Sequence, residues 1–183
     1  MIGLFESKTP VGTQINPDLN VCIVKENNDT GDKTWYYAKN IVTNDGDLYY
    51  AQQAVETTPT SDFGGSNGRM ELRTGSATPA KGHVYSDVAT PVTASRKAID
   101  AGYPKVSDAD SDNTGAGADI VTWRTSWTTS DFNANAIIGG CIHVGGASPA
   151  SGTKVLSHFS ITSFNKTASD TLKIFVNHTF NGV

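Results

Sequence analysis

The chain has 183 residues and a formal net charge of −4, with 14 Lys and Arg against 18 Asp and Glu. That length suits one domain with a real core. Its scattered basic residues, with Arg96-Lys97 the only adjacent pair, exclude a surface built to displace nucleic-acid counterions. Three Trp, six Tyr and seven Phe at so low a net charge exclude a disordered chain, and no run reaches the ~18 apolar residues of a membrane helix.

The opening, MIGLFESKTPVG, lacks the basic and long apolar regions of a secretory signal. Folding in a cytoplasm is therefore expected, with Cys22 and Cys141 reduced and buried; a disulfide between them stays open at this level. Residues 1–18 carry Pro10, Gly12 and Pro17 and read as an extended arm, because proline removes ladder donors. Residues 19–183 read as a single domain.

Leu19 to Lys25 (LNVCIVK) predicts a strand, closed by the turn cluster ENNDTGD. Thr34 to Val42 (TWYYAKNIV) predicts a second. The Asp-Gly of TNDGD predicts a hairpin, with LYYAQQ as its return strand. Residues 57–104 are rich in turns and hold one short strand, RMELRT; ASRKAIDA (94–101) predicts one or two helical turns.

The C-terminal third alternates clearly. In IVTWRTSWT, Val121, Trp123 and Trp127 fall on one face, with Thr122, Arg124 and Ser126 on the other. IIGGCIHV predicts a strand with a bulge or close approach at Gly139-Gly140. KVLSHFSITSF sets Val155, Phe159 and Ile161 against Leu156, His158 and Thr162. In TLKIFVNHTF, Leu172, Ile174, Val176 and Phe180 oppose Lys173, Phe175, Asn177 and Thr179. The polar turn NKTASD separates these last two strands. About eight strands with long loops predict an all-β antiparallel β-sandwich, jelly-roll-like, with the arm outside it.

The chemistry-bearing residues are few. Asp108, Asp110, Asp112 and Asp119 fall at the first, third, fifth and twelfth places of a calcium loop. The sixth place is Asn113 rather than Gly, and no helices flank the run. Two readings stay open, a calcium site and a solvated loop whose Asp and Asn side chains cap turns; the second is the expectation. Cys141-x-His143 shares a strand face but lacks the paired spacings of a zinc site, which leaves a small core Cys beside a half-exposed His. Cys141 with His158 or His178 lacks any nucleophile motif. GGSNGR (64–69) lacks the ending of a phosphate loop, and nearly every acid lies in a predicted turn. No catalytic residue, cofactor or resident metal is therefore expected. Trp35, Tyr36, Tyr37, Tyr49 and Tyr50 lie on the predicted hairpin, so each adjacent pair gives one core ring and one outward ring, suited to an interface. Asn28, Asn165 and Asn177 match the glycosylation sequon, which without secretion reads as chance.

The stretches GYPKVSDADSDNTGAGADIVTWRTSW, DFNANAIIGGCIHVG and SFNKTASDTLKIFVNHTFNGV resemble small virion structural proteins of tailed bacteriophages, most specifically in the K-T-x-x-D-T-L ending. The similarity covers the last half of the chain. It implies a virion protein, assembled in the host cytoplasm, without catalytic residues or cofactor. Its expected role is capsid decoration or cement, with the major capsid protein as partner and a homotrimer as the assembled form. Contact residues would be Ile2, Leu4 and Phe5 of the arm with outward rings among Tyr36, Tyr37, Tyr49 and Tyr50. The alternative is a tail or fibre component that binds a host surface glycan. Neither nucleic acid nor a membrane is an expected partner.

Overall fold

The computed structural model describes residues 20–55, 58–64, 67–108, 110–113, 117–146 and 148–180. Their order is β1 (Val21–Asn27), β2 (Lys33–Val42), α1 (Asn44–Ala54), β3 (Arg69–Arg73), β4 (Lys97–Ala98), β5 (Lys105–Val106), β6 (Ile120–Trp127), β7 (Ala134–His143), β8 (Val155–Lys166) and β9 (Asp170–Thr179). The fold is all-β and antiparallel. These nine strands are hydrogen-bonded as one curled sheet in the order β4-β3-β7-β8-β2-β1-β9-β6-β5. The predicted arm, 1–18, lies outside the described residues.

The curl has identifiable causes. β2 changes partner along its length: Lys33 to Ala38 pair with β1, and Lys39 to Val42 pair with β8. β8 and β9 are joined only by Thr167 to Ser169, although β2 and β1 stand between them in the sheet. So short a link across two intervening strands requires the sheet to fold over.

The two edges of the sheet then meet at one segment. β4 pairs with β3 through Ala98↔Arg69 and Lys97↔Met70, while β5 pairs with β6 through Lys105↔Thr122 and Val106↔Val121. Between them, the Ile99 amide donates to the Gly68 carbonyl at 3.3 Å and the next amide, Asp100, donates to the Arg124 carbonyl at 2.8 Å. Two adjacent residues thus bond to opposite edges. Further outward groups are capped as well. The Leu72 amide donates to Ser95 Oγ at 2.9 Å, the Leu72 carbonyl accepts from the Val92 amide at 2.7 Å, and the Ser126 amide donates to Asp100 Oδ1 at 3.1 Å. Edge strands only two residues long, with their neighbours' polar groups occupied, leave little template for pairing with another chain.

The inner face is the one the alternation indicated. Trp123, Trp127, Leu172, Ile174 and Val176 join Val21, Ile23, Met70, Leu72, Ile142 and Phe159 in one buried cluster. Both buried indoles find acceptors: Trp123 Nε1 donates to the Tyr50 hydroxyl and Trp127 Nε1 to the Ser95 carbonyl, each at 2.7 Å.

Three local expectations are corrected. The predicted hairpin at TNDGD is instead the start of α1, with Tyr49 and Tyr50 on the helix. Thr43 is its N-cap, accepting from the Gly46 amide at 3.1 Å, and Asp45 and Asp47 sit in the first turn, where the helix dipole favours them. ASRKAIDA forms no α-helix: a 3-10 turn at Thr93–Ser95 leads into β4, because the β3 edge offers its backbone a partner. The parity of β8 breaks at Leu156. Ile142 pairs with Ser157 and His143 with Val155, so Leu156 is an extra residue and Val155 turns to the outer face beside Cys141. Gly139 and Gly140 are indeed a close-approach point, where a Cβ would strike the Phe159 carbonyl and the Glu71 carbonyl respectively.

Gly46 decides how α1 docks. A Cβ there would overlap the Leu156 carbonyl and lie 2.7 Å from Val42 Cγ1. Alanine favours a helix interior by ~1 kcal/mol over glycine, but this contact is with rigid backbone. Gly46→Ala is therefore expected to destabilise by roughly 2–3 kcal/mol, an overpacking penalty that outweighs propensity. Urea unfolding checks both the size and the sign.

Candidate functional site

The aspartate run lies across the outer face of β6, β9 and β2, and basic side chains from those strands meet it. Asp110 pairs with Arg124 at 2.8 Å and Lys173 at 3.3 Å; Asp112 pairs with Lys173 at 3.0 Å and Lys33 at 3.2 Å. Asp108 pairs with Lys105 at 2.7 Å and accepts from the Tyr103 hydroxyl at 2.9 Å. The carboxylates also cap their own loop, with the Asp110 amide donating to Asp108 Oδ1 at 3.1 Å and the Asp112 amide to Asp110 Oδ1 at 3.0 Å. Partial burial pushes the Asp108 and Asp112 carboxyls up. Bonds from Lys105, the Asp110 amide and Tyr103, and from Lys173 and Lys33, outweigh it, so both end below the ordinary aspartate value.

Asn113, the sixth residue of the calcium pattern, is buried and exchanges amide hydrogen bonds with Asn177, at 3.2 and 3.0 Å. Asp119, the twelfth, is exposed just before β6. Among the described residues no three His, Cys, Asp or Glu side chains are grouped to hold a metal ion.

A second polar cluster sits on the outer face of β3, β7 and β8, and the sequence did not reveal it. Glu71 is fully buried. Its Oε1 accepts from Arg96 Nη2 and its Oε2 from the Tyr85 hydroxyl, each at 2.8 Å, while His143 Nε2 approaches Oε2 at 3.3 Å. Burial raises the Glu71 carboxyl, and the donors from His143, Arg96 and Tyr85 outweigh that, leaving it below the ordinary value. Burial first, and the Glu71 carboxylate second, push the Tyr85 phenol up to about 12. Tyr85 and Arg96 come from the segment that covers this face, so Glu71 pins the cover to the sheet. A lone Glu in RMELRT gave no hint of this, because its partners lie 14 and 25 residues away.

His143 is fully buried, which corrects the half-exposed position expected for it. The sheet does set Cys141 opposite His158. Burial, then the Glu71 charge, push the Cys141 thiol well up, the opposite of what a nucleophile or metal ligand needs. His158 Nδ1 lies 2.9 Å from His83 Nδ1. Burial, with Arg73 and His83 adding to it, lowers the His158 pKa to about 3. Both cysteines are free.

The four tyrosines separate. Tyr36 faces inward and stacks on Phe164 at 4.9 Å. Tyr37 lies on the outer face with Trp35, against Cys22, Val24 and Phe175. Tyr49 is buried in the core. The Tyr50 hydroxyl, already accepting from Trp123, is hydrogen-bonded to His178 Nδ1 at 2.5 Å; burial lowers the His178 pKa to about 3. Tyr36 and Tyr37 thus divide as alternation required, whereas the helix turns Tyr49 and the Tyr50 hydroxyl inward. Ile2, Leu4 and Phe5 lie outside the described residues.

The K-T-x-x-D-T-L stretch is a self-closed turn. The Thr167 amide and hydroxyl both donate to Asp170 Oδ2 at 2.8 Å. Burial raises the Asp170 carboxyl, and these two bonds, with the charges of Lys25 and Lys166, bring it below the ordinary value. Lys166 Nζ is buried and donates to the Phe132 carbonyl at 2.9 Å, and burial lowers its pKa.

Two measurements follow from these environments. Unfolded histidine titrates near ~6.5, so between that value and the folded values of about 3 for His158 and His178 the unfolded chain binds more protons. Their contribution is complete above the unfolded value and is lost as pH falls, by up to about 1.4 kcal/mol per pH unit for each histidine. Stability measured from pH 7.5 to 4.5 is expected to decline, and His158→Gln or His178→Gln to flatten the slope. Melting with calcium or with a chelator is expected to give the same midpoint, because Lys33, Lys105, Arg124 and Lys173 already engage the carboxylates.

Comparison with protein-family models, with curated proteins and with solved structures returns no significant match for this chain.

Proposed function

We propose that this chain is a non-enzymatic structural protein of a tailed-phage virion, a capsid decoration or cement subunit that binds the major capsid protein, as a homotrimer. Two supports come from the sequence: the resemblance of its last half, and an N-terminal segment with apolar Ile2, Leu4 and Phe5. The observation that carries the reading is how the polar side chains are used. Glu71, Asp100, Asp108, Asp110 and Asp112 are each held by basic side chains of their own chain. Those groups are committed to rigidity, which suits a subunit that works by fitting against others. The mechanism is added buried area between capsomers, which raises the barrier to shell rupture, and contacts from Ile2, Leu4 and Phe5 would add to that area.

Trp35 and Tyr37 favour a second reading. They stand two residues apart on the outer face of β2, the spacing of an aromatic platform for a host-surface glycan on a tail or fibre.

One binding experiment separates the two. Purified protein is offered expanded empty capsids and intact host cells, each with the full chain and with residues 1–17 deleted. Retention on capsids that drops at least tenfold on deletion is expected. Undiminished capsid binding would remove the arm from the mechanism, and retention on cells alone, abolished by Trp35→Ala, would favour the glycan reading.

A further inference from the structure

The strap from Lys97 to Val106 closes the sheet, yet it is tied differently from the strands it joins. It shares two residue pairs with β3 and two with β6, where β6 shares eight with β9. Only Ile99 and Tyr103 of the strap enter the core cluster. Lys97 pairs with Asp131 and Lys105 with Asp108, and three further ties converge on one side chain. Arg124 Nε donates to Asp100 Oδ2 at 2.8 Å, and its Nη1 donates to the Tyr103 hydroxyl at 3.1 Å and to Asp110 Oδ2 at 2.8 Å. The guanidinium also lies 4.3 Å from the centre of the Tyr103 ring. Asp100 in turn accepts from the Ser126 amide and hydroxyl. One planar cation thus ties the strap, the aspartate loop and β6 together, with five donors in a fixed fork that lysine cannot reproduce.

We infer that Arg124 is the bolt of an ionic latch, and that the strap opens as a local unit on its release while the β1–β2 and β1–β9 ladders stay closed. The Arg124, Asp100 and Asp110 side chains keep 24%, 18% and 14% of their surface exposed, so salt reaches them, unlike the core. Opening bares the outer edge of β6 and the Arg69–Met70 end of β3. The latch is independent of any role in a virion.

Hydrogen exchange on the full chain tests this. In wild type, raising NaCl from ~0.05 M to ~1 M shortens the screening length from roughly 14 Å to 3 Å. The Ile99, Asp100 and Ser126 amides are expected to exchange several-fold faster, with the β1 and β9 amides unchanged. Arg124→Lys is expected to speed the same three amides by about tenfold at low salt and to remove most of their salt response. Equal exchange of seam and β1–β9 amides under all conditions, or acceleration everywhere by the same factor, would overturn the latch. If the variant does not fold, the wild-type salt comparison decides alone.

Discussion

A sheet that curls on itself must do something with its two edges, and here the Asp100–Arg124 pair is where they meet. Asp100 reaches Arg124 twice, through its amide to the carbonyl and through its carboxylate to the guanidinium. The adjoining Ile99 amide holds the opposite edge at Gly68. Without that junction the outer edge of β6 and the Arg69–Met70 end of β3 would expose unpaired backbone groups. The rest of the architecture follows from keeping the seam shut. The strap is short because it spans only from one edge to the other. The aspartate loop after it folds back over the same arginine.

The two polar clusters solve related problems on the outer faces. Each pins a covering segment onto a strand by placing carboxylates against cations of the opposite layer. Glu71 does so in full burial, where a missing donor would leave an uncompensated charge. The aspartates do so at partial exposure, where single pairs contribute little and the strength comes from shared cations. Lys173 bridges Asp110 and Asp112, and Arg124 bridges Asp100 and Asp110. Residue types that elsewhere do chemistry are here used to fix segments in place, and the raised Cys141 thiol and lowered His158 imidazole express the same burial.

This arrangement bears on how the molecule meets partners. Its sheet edges are occupied, and the surfaces left open include loops and outer faces such as the one carrying Trp35 and Tyr37. The K-T-x-x-D-T-L stretch fits the same theme. Its Thr167 and Asp170 form a turn that lets β8 fold back into β9 across two intervening strands. A stretch distinctive in sequence can thus be a folding requirement.

The sequence alone determined the strands that alternate over long runs. β6 and β9 were legible because Trp123, Trp127, Leu172, Ile174 and Val176 repeat at period two and one face must be buried. The composition likewise determined an all-β class. Where local signals competed, the sequence was insufficient. Asp45-Gly46 satisfies both a hairpin turn and a capped first helical turn, and the choice fell to Thr43 and to the space that only a glycine leaves beside Leu156. Leu156 broke the parity of β8 because an extra residue in a bulge leaves no trace in composition. The aspartates were visible as a run, but their role depends on Lys33, Arg124 and Lys173, each on a different strand. Tertiary structure decided those partnerships, since charges far apart in the chain become neighbours only when strand order and the seam bring their faces together.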